Sequence, residues 1–188
     1  MQEIIFHGRG GQGAVVASRV LAAAAFAGGA FVQAFPAFGL ERRGAPVLAY
    51  TRIDSQPVSL HIPIYEPDHV IVLDASLLKL VDVTKGLKPH GWVLVNTDKE
   101  PGALPGLAGR NTAAVNASEI AASHRLGSRT APIVNTAILG AFARATGIIT
   151  LENLESAIRS SVHIKPDQNV AACRDAFEAV TMLAAAKA

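Results

Sequence analysis

The chain has 188 residues and balances 17 Lys and Arg against 15 Asp and Glu, for a formal net charge of +2. That excess is too small and too scattered for a nucleic-acid stripe or a membrane-binding basic helix. Half the residues are hydrophobic, 5% are aromatic and one is cysteine, which describes an Ala, Val, Leu and Ile interior of α/β type without disulfide staples.

In chain order, residues 3–6 read as a strand, and Gly8, Gly10 and Gly13 in the stretch that follows have the spacing G-x-G-x-x-G. Val15, Val16, Leu21 and Ala25 recur among small residues and predict a helix over 14–27, directly after the glycines. Further strands are expected at 31–35 and 47–53, the latter joined by the turn-like 54–57 to a short strand at 58–62 as an antiparallel edge insertion. Residues 69–73 and 92–96 are nearly continuous apolar runs, as strands buried on both faces of a parallel sheet should be, and the first runs into Asp74. Residues 99–110 read as a loop rich in Gly and Pro, and 112–115 as another strand. Helices are expected over 135–145, 151–160 and 167–186. Cys173 lies in line with Val170, Phe177 and Val180 at helical spacing, which makes it a core residue.

Alternating strands and helices predict an α/β fold: a three-layer, doubly wound, mostly parallel sheet with a small antiparallel edge insertion and a helical C-terminal third. No linker divides the chain, so residues 1–188 are expected to form one domain. No apolar run reaches the roughly 18 residues of a membrane-spanning helix and no basic leader precedes the first strand, so the expected location is the cytoplasm.

Ligands of such folds gather at the carboxyl ends of the strands, where the glycine stretch lies. Its glycines let the backbone turn tightly and aim N–H groups at an anion, and the following helix adds its positive end. The candidate ligand residues are Gly8, Arg9, Gly10, Gly11, Gln12 and Gly13, with a phosphate or pyrophosphate as guest; a tight turn without ligand is the alternative. An NAD site should carry an acid at the end of the second strand, but residues 32–38 contain none. No Lys-Ser or Lys-Thr follows the glycines, so the standard ATP loop is excluded too. Downstream, Arg42 and Arg43 offer two guanidinium forks for a further phosphate or a partner carboxylate, or else form a solvated Glu–Arg pair with Glu41. Asn135 and Thr136 stand at a helix start, where they cap the helix or contact a ligand or interface.

Four blocks together resemble the gamma subunit, or gamma domain, of the 2-oxoacid:ferredoxin oxidoreductases, which act on pyruvate, ketoisovalerate, 2-oxoglutarate, indolepyruvate or phenylglyoxylate. These are Gly8 through Gly13, Gly39 through Gly44, Pro132 through Gly140, and Asn169 in the last helix. The chain departs from the family pattern at Arg43-Gly44-Ala45, where two glycines commonly follow the arginine. The resemblance implies a subunit of a complex that oxidatively decarboxylates a 2-oxoacid to an acyl-CoA. Coenzyme A would be held here through its phosphates, at the glycine stretch with Arg42, Arg43 and Asn135. Thiamine diphosphate, Mg and iron–sulfur clusters would sit on the partners: alpha and beta subunits for the thiamine diphosphate, and a ferredoxin-like subunit for the clusters.

The residues agree with that division of labour. One cysteine cannot supply the roughly four thiolates of a cluster, and the thiamine motif Gly-Asp-Gly with a later Asn-Asn is absent. His7 could act as a base on the CoA thiol, but the surrounding sequence offers it no acidic partner, so it reads as a satisfied or solvent-facing histidine and no catalytic residue is assigned. The isolated chain is expected to be inactive. The competing class is a freestanding nucleotide- or phosphate-binding α/β regulatory module.

Overall fold

A computed structural model describes residues 1–37, 44–60 and 62–185. The elements run β1 (Gln2–Arg9), α1 (Ala14–Ala27), β2 (Phe31–Pro36), β3 (Pro46–Asp54), β4 (His69–Val72), β5 (Trp92–Asn96), β6 (Asn111–Val115) and α2 (Ala117–Ser123). They continue as β7 (Gly127–Ser128), β8 (Ala131–Pro132), α3 (Ala137–Thr146), α4 (Leu151–Ser161), α5 (Pro166–Ala179) and β9 (Thr181–Leu183). Short 3-10 turns at Ala75–Lys79 and Pro101–Ala103 follow β4 and β5.

Seven strands form one sheet in the order β2-β3-β1-β4-β5-β6-β9, and β7 and β8 pair as a separate hairpin. The centre, β1-β4-β5-β6, is parallel, whereas β3 runs antiparallel to both β1 and β2, and β9 antiparallel to β6. All four residues of β4 are buried, the physical reason for its unbroken apolar sequence. One apolar layer joins Ile4, Phe6, Ile71 and Leu94 of the sheet to α1, α3, α4 and α5. The layer on the opposite face joins Ile5, Val70, Val72 and Val95 to Leu77, Val83 and Leu104 of the 3-10 turns and loops. The first crossover and the later ones thus lie on opposite faces, with β1 and β4 at the switch between them.

Two expectations are corrected, and one element was not foreseen. No strand forms at 58–60 or at Ile62; the antiparallel part is β2-β3-β1 instead. The cause is Arg52, 1% exposed, whose guanidinium donates to the carbonyls of Leu60, Ile62 and Pro63 and so satisfies acceptors that a ladder would have used. The last helix ends at Ala179, not 186, because Val180 turns extended and residues 181–183 close the edge of β6 as β9. Helix α2, not anticipated, is capped by Asn116, whose side chain accepts from the Glu119 N–H at 3.0 Å.

Candidate functional site

The glycine stretch leaves β1 at its carboxyl end and enters α1 at Gly13. Positive φ falls at Gly11 (97°) and Gly13 (81°), where an L side chain would be strained. Gly8 is needed for space, since a Cβ there would meet Leu73 Cδ1 at 3.1 Å and Ala14 Cβ at 3.2 Å. Gly10 is tied to the segment that leads into β3: its N–H donates to the Ala45 carbonyl at 2.9 Å and its carbonyl accepts from the Gly44 N–H at 3.1 Å. Gln12 N–H donates back to the Arg9 carbonyl. Among the described residues no acceptor is paired with the N–H groups of Gly11, Gly13, Ala14, Val15 or Val16. These donors stand at the positive end of a 14-residue helix that begins without a side-chain cap.

The two charged or amide side chains of the loop are turned inward. Arg9 Nε donates to Asp74 Oδ2 at 2.9 Å, its Nη1 to the Gly44 carbonyl at 3.0 Å and its Nη2 to Ser76 Oγ at 2.8 Å. Gln12 Oε1 accepts from the Arg9 N–H at 2.8 Å while its Nε2 donates to Asp74 Oδ2 at 3.1 Å. Burial alone would raise the Asp74 carboxyl, but the hydrogen bonds from Ser76, Gln12 and Arg9 outweigh it and hold the group below the usual carboxylate value. Asp74 is therefore an anion paired with Arg9.

A cleft of about 480 Å³ opens beside the loop between the ends of β1, β4 and β5, bounded by Gly11, Asp74, Asn96, Ser118 and Thr130. This is the switch point of the sheet, where ligands of α/β proteins bind. Asn96 holds its wall, donating to the Leu73 carbonyl at 3.0 Å and to Ser118 Oγ at 2.9 Å and accepting from the Ser118 N–H at 3.2 Å. A smaller recess of about 250 Å³ lies on the helix side of the loop, against Gly11, Gly13, Ala14, Val16 and Val47.

Asn135 and Thr136 do not cap α3 through their side chains. Asn135, 8% exposed, packs on Gly13 so closely that a Cβ there would stand 2.7 Å from its Nδ2, and its buried Oδ1 has no partner among the described residues. Thr136 is fully buried and donates to Asn169 Oδ1 at 2.6 Å, while Asn169 Nδ2 donates to the carbonyls of Ile164 and Lys165. Three of the four blocks distinguished in the sequence therefore touch in space. Of the fourth, only Gly44 is described; Arg42 and Arg43 lie outside the described residues.

His7 points away from this cluster, into a cavity of about 840 Å³ on the opposite face with Ile5, Leu48, Tyr50 and Leu77. Burial pushes its pKa down to about 4, against the opposing charge of Asp82. Cys173 is fully buried in the helical layer, and burial pushes its thiol up to about 12. Among the described residues no three His, Cys, Asp or Glu side chains come together in a metal-binding group. No described helix is long and apolar enough to cross a membrane.

Sequence reasoning missed Asp74, Asn96 and Ser118 as parts of the site. The available signal was positional: two apolar runs each end in a polar residue at a strand's carboxyl end.

The sequence model of pyruvate ferredoxin/flavodoxin oxidoreductase matches residues 3–179. The chain is 52% identical over 182 residues to the pyruvate/ketoisovalerate oxidoreductases common subunit gamma of Pyrococcus abyssi, covering 95% of this chain and 96% of that one. To the pyruvate synthase subunit PorC of Methanocaldococcus jannaschii it is 54% identical over 158 residues, 84% of each chain. The fold superposes on the crystal structure of the pyruvate oxidoreductase subunit PORC of Thermotoga maritima with a TM-score of 0.81 at 37% identity, over 96% of this chain and 97% of that one. A 2-oxoglutarate:ferredoxin oxidoreductase from Magnetococcus marinus, solved with 2-oxoglutarate, coenzyme A and succinyl-CoA bound, shares the fold at 21% identity and a TM-score of 0.69, over 94% of this chain and 30% of that one. This chain belongs to the pyruvate ferredoxin/flavodoxin oxidoreductase family and corresponds to its gamma subunit.

Proposed function

We propose that this chain holds coenzyme A by its phosphates at the N-terminus of α1, and that it helps assemble a cytoplasmic 2-oxoacid oxidoreductase in which it forms one domain. The observation that carries this reading is the set of uncommitted N–H groups at Gly11, Gly13 and the first turn of α1, beside the orphaned Oδ1 of Asn135. Fixed N–H donors at a helix N-terminus suit a phosphate. The family relative solved with coenzyme A bound supports the same choice of ligand.

The remaining chemistry belongs to partners. The chain has one cysteine, fully buried, and one thiolate cannot supply the roughly four a cluster requires. The family resemblance in turn assigns thiamine diphosphate with Mg to alpha and beta subunits, and iron–sulfur clusters to a ferredoxin-like subunit. Arg42 and Arg43 serve a CoA phosphate or a partner carboxylate. Hydrogen exchange of this chain within the purified complex, with and without CoA, tests the site: the amides of Gly11 and residues 13–16 should slow markedly. CoA protection confined to other segments would refute it.

A further inference from the structure

The Arg9–Asp74 pair raises a question of electrostatics that the proposed CoA site does not answer. A carboxylate lies beside the loop, and an isolated negative charge there would repel a phosphate. Asp74 is also the hub of the loop's side-chain bonds. Oδ1 accepts from the N–H and hydroxyl of Ser76, and Oδ2 from Arg9 Nε and Gln12 Nε2. The Arg9 guanidinium, bound at all three nitrogens to Asp74, Gly44 and Ser76, is held against the protein. Both partners are mostly buried, with side chains 26% and 22% exposed, so solvent screens the pair only in part.

We propose that Arg9 is the internal counter-ion of Asp74 and not a phosphate ligand, so that the two act as a neutral unit positioning the glycine loop while backbone N–H groups recognise the anion. Asp74 is thereby a positioning residue. The inference rests on the glycine loop being the anion site, and it makes Arg9 and Asp74 interdependent in a way that direct contact between Arg9 and phosphate would not.

The test is CoA titration of the purified complex carrying Arg9→Met, Asp74→Asn or both, with inorganic pyrophosphate titrated in parallel as an anion that needs only the loop. Arg9→Met strands the carboxylate and should weaken both ligands roughly tenfold or more. Asp74→Asn keeps an oxygen acceptor but frees a cation, so binding should be at least as tight as wild type and fall more steeply with salt. The double variant removes both charges and should return to within about threefold of wild type. A double variant as weak as Arg9→Met would show that Arg9 touches the phosphate, and Asp74→Asn as weak as Arg9→Met would reduce the network to a structural prop; either result overturns the proposal. If pyrophosphate follows the expected pattern while CoA ignores every variant, the ion-pair inference stands and the CoA assignment falls. If CoA and pyrophosphate both ignore the variants, the inference falls.

Discussion

Gly13 has two separate reasons to be glycine. Its φ of 81° is costly for an L residue, and the space a Cβ would need is filled by Asn135. Gly13→Ala should therefore cost about 1–2 kcal/mol from the backbone conformation alone, with more from displacing Asn135, and should weaken CoA binding by the complex. Denaturant unfolding and CoA titration of the same variant check both effects. The motif spacing made Gly13 legible in the sequence, but its contact was not, because Asn135 is distant in the chain and only the sheet order brings it back. Asp74 escaped for the same reason: it is an unremarkable Asp until β4 is set beside β1. The histidines illustrate burial that periodicity cannot weigh. His69 accepts the Trp92 N–H through Nδ1, which requires that nitrogen unprotonated, and burial pushes both His69 and His7 down to about 4 from an ordinary 6.5. The unfolded chain then binds more protons between those values, so their contribution to stability is fully present above pH 6.5 and is lost as pH falls towards 4. The Tm should drop across that interval, and His69→Leu should flatten its slope; an unchanged slope would place the titration elsewhere.

At the scale of elements, the crossing of α3 and α5 decides whether the Asn135 segment is held in place. Gly140 faces the Cys173 carbonyl, with which any Cβ would collide, and immediately before α3 the Thr136 hydroxyl is bonded to Asn169. Thr136→Val leaves the Asn169 oxygen buried and unpaired, so it should cost about 1–3 kcal/mol, and Gly140→Ala more, because backbone must move. Thermal unfolding of each variant measures this, and a neutral Gly140→Ala would mean the helices separate easily. Asn169 and Gly140, which in the sequence only carried a resemblance, thus gain a packing role. The strands at 69–73 and 92–96 were readable because burial on both faces leaves an uninterrupted apolar run. Residues 58–60 were misread because the Arg52 guanidinium takes the Leu60 carbonyl, and 181–183 because their pairing is settled at long range by the open edge of β6. Short edge strands carry little periodicity of their own.

For the whole molecule, the proposed function places recognition on this chain and the redox chemistry on its partners. What this subunit presents at the switch point is a set of uncommitted N–H donors beside the Arg9–Asp74 ion pair. None of these accepts an electron or stabilises a carbanion. Its one thiol is sealed in the helical layer, where burial pushes it up to about 12, and alone it cannot supply a cluster's ligands. The neutral His7 faces the cavity on the opposite side of the sheet from the helical layer and so is not placed to act at the glycine loop. The purified chain should consequently show no dye reduction with any 2-oxoacid and no iron absorption, whereas mixing it with its partner subunits should bring CoA-dependent turnover. With thiamine diphosphate on the partners, as proposed, the substrate preference of that turnover should follow the partners when gamma subunits are exchanged between related complexes. Sustained turnover by the single chain, or a change of 2-oxoacid preference that travels with it, would assign it chemistry for which its described side chains provide no means.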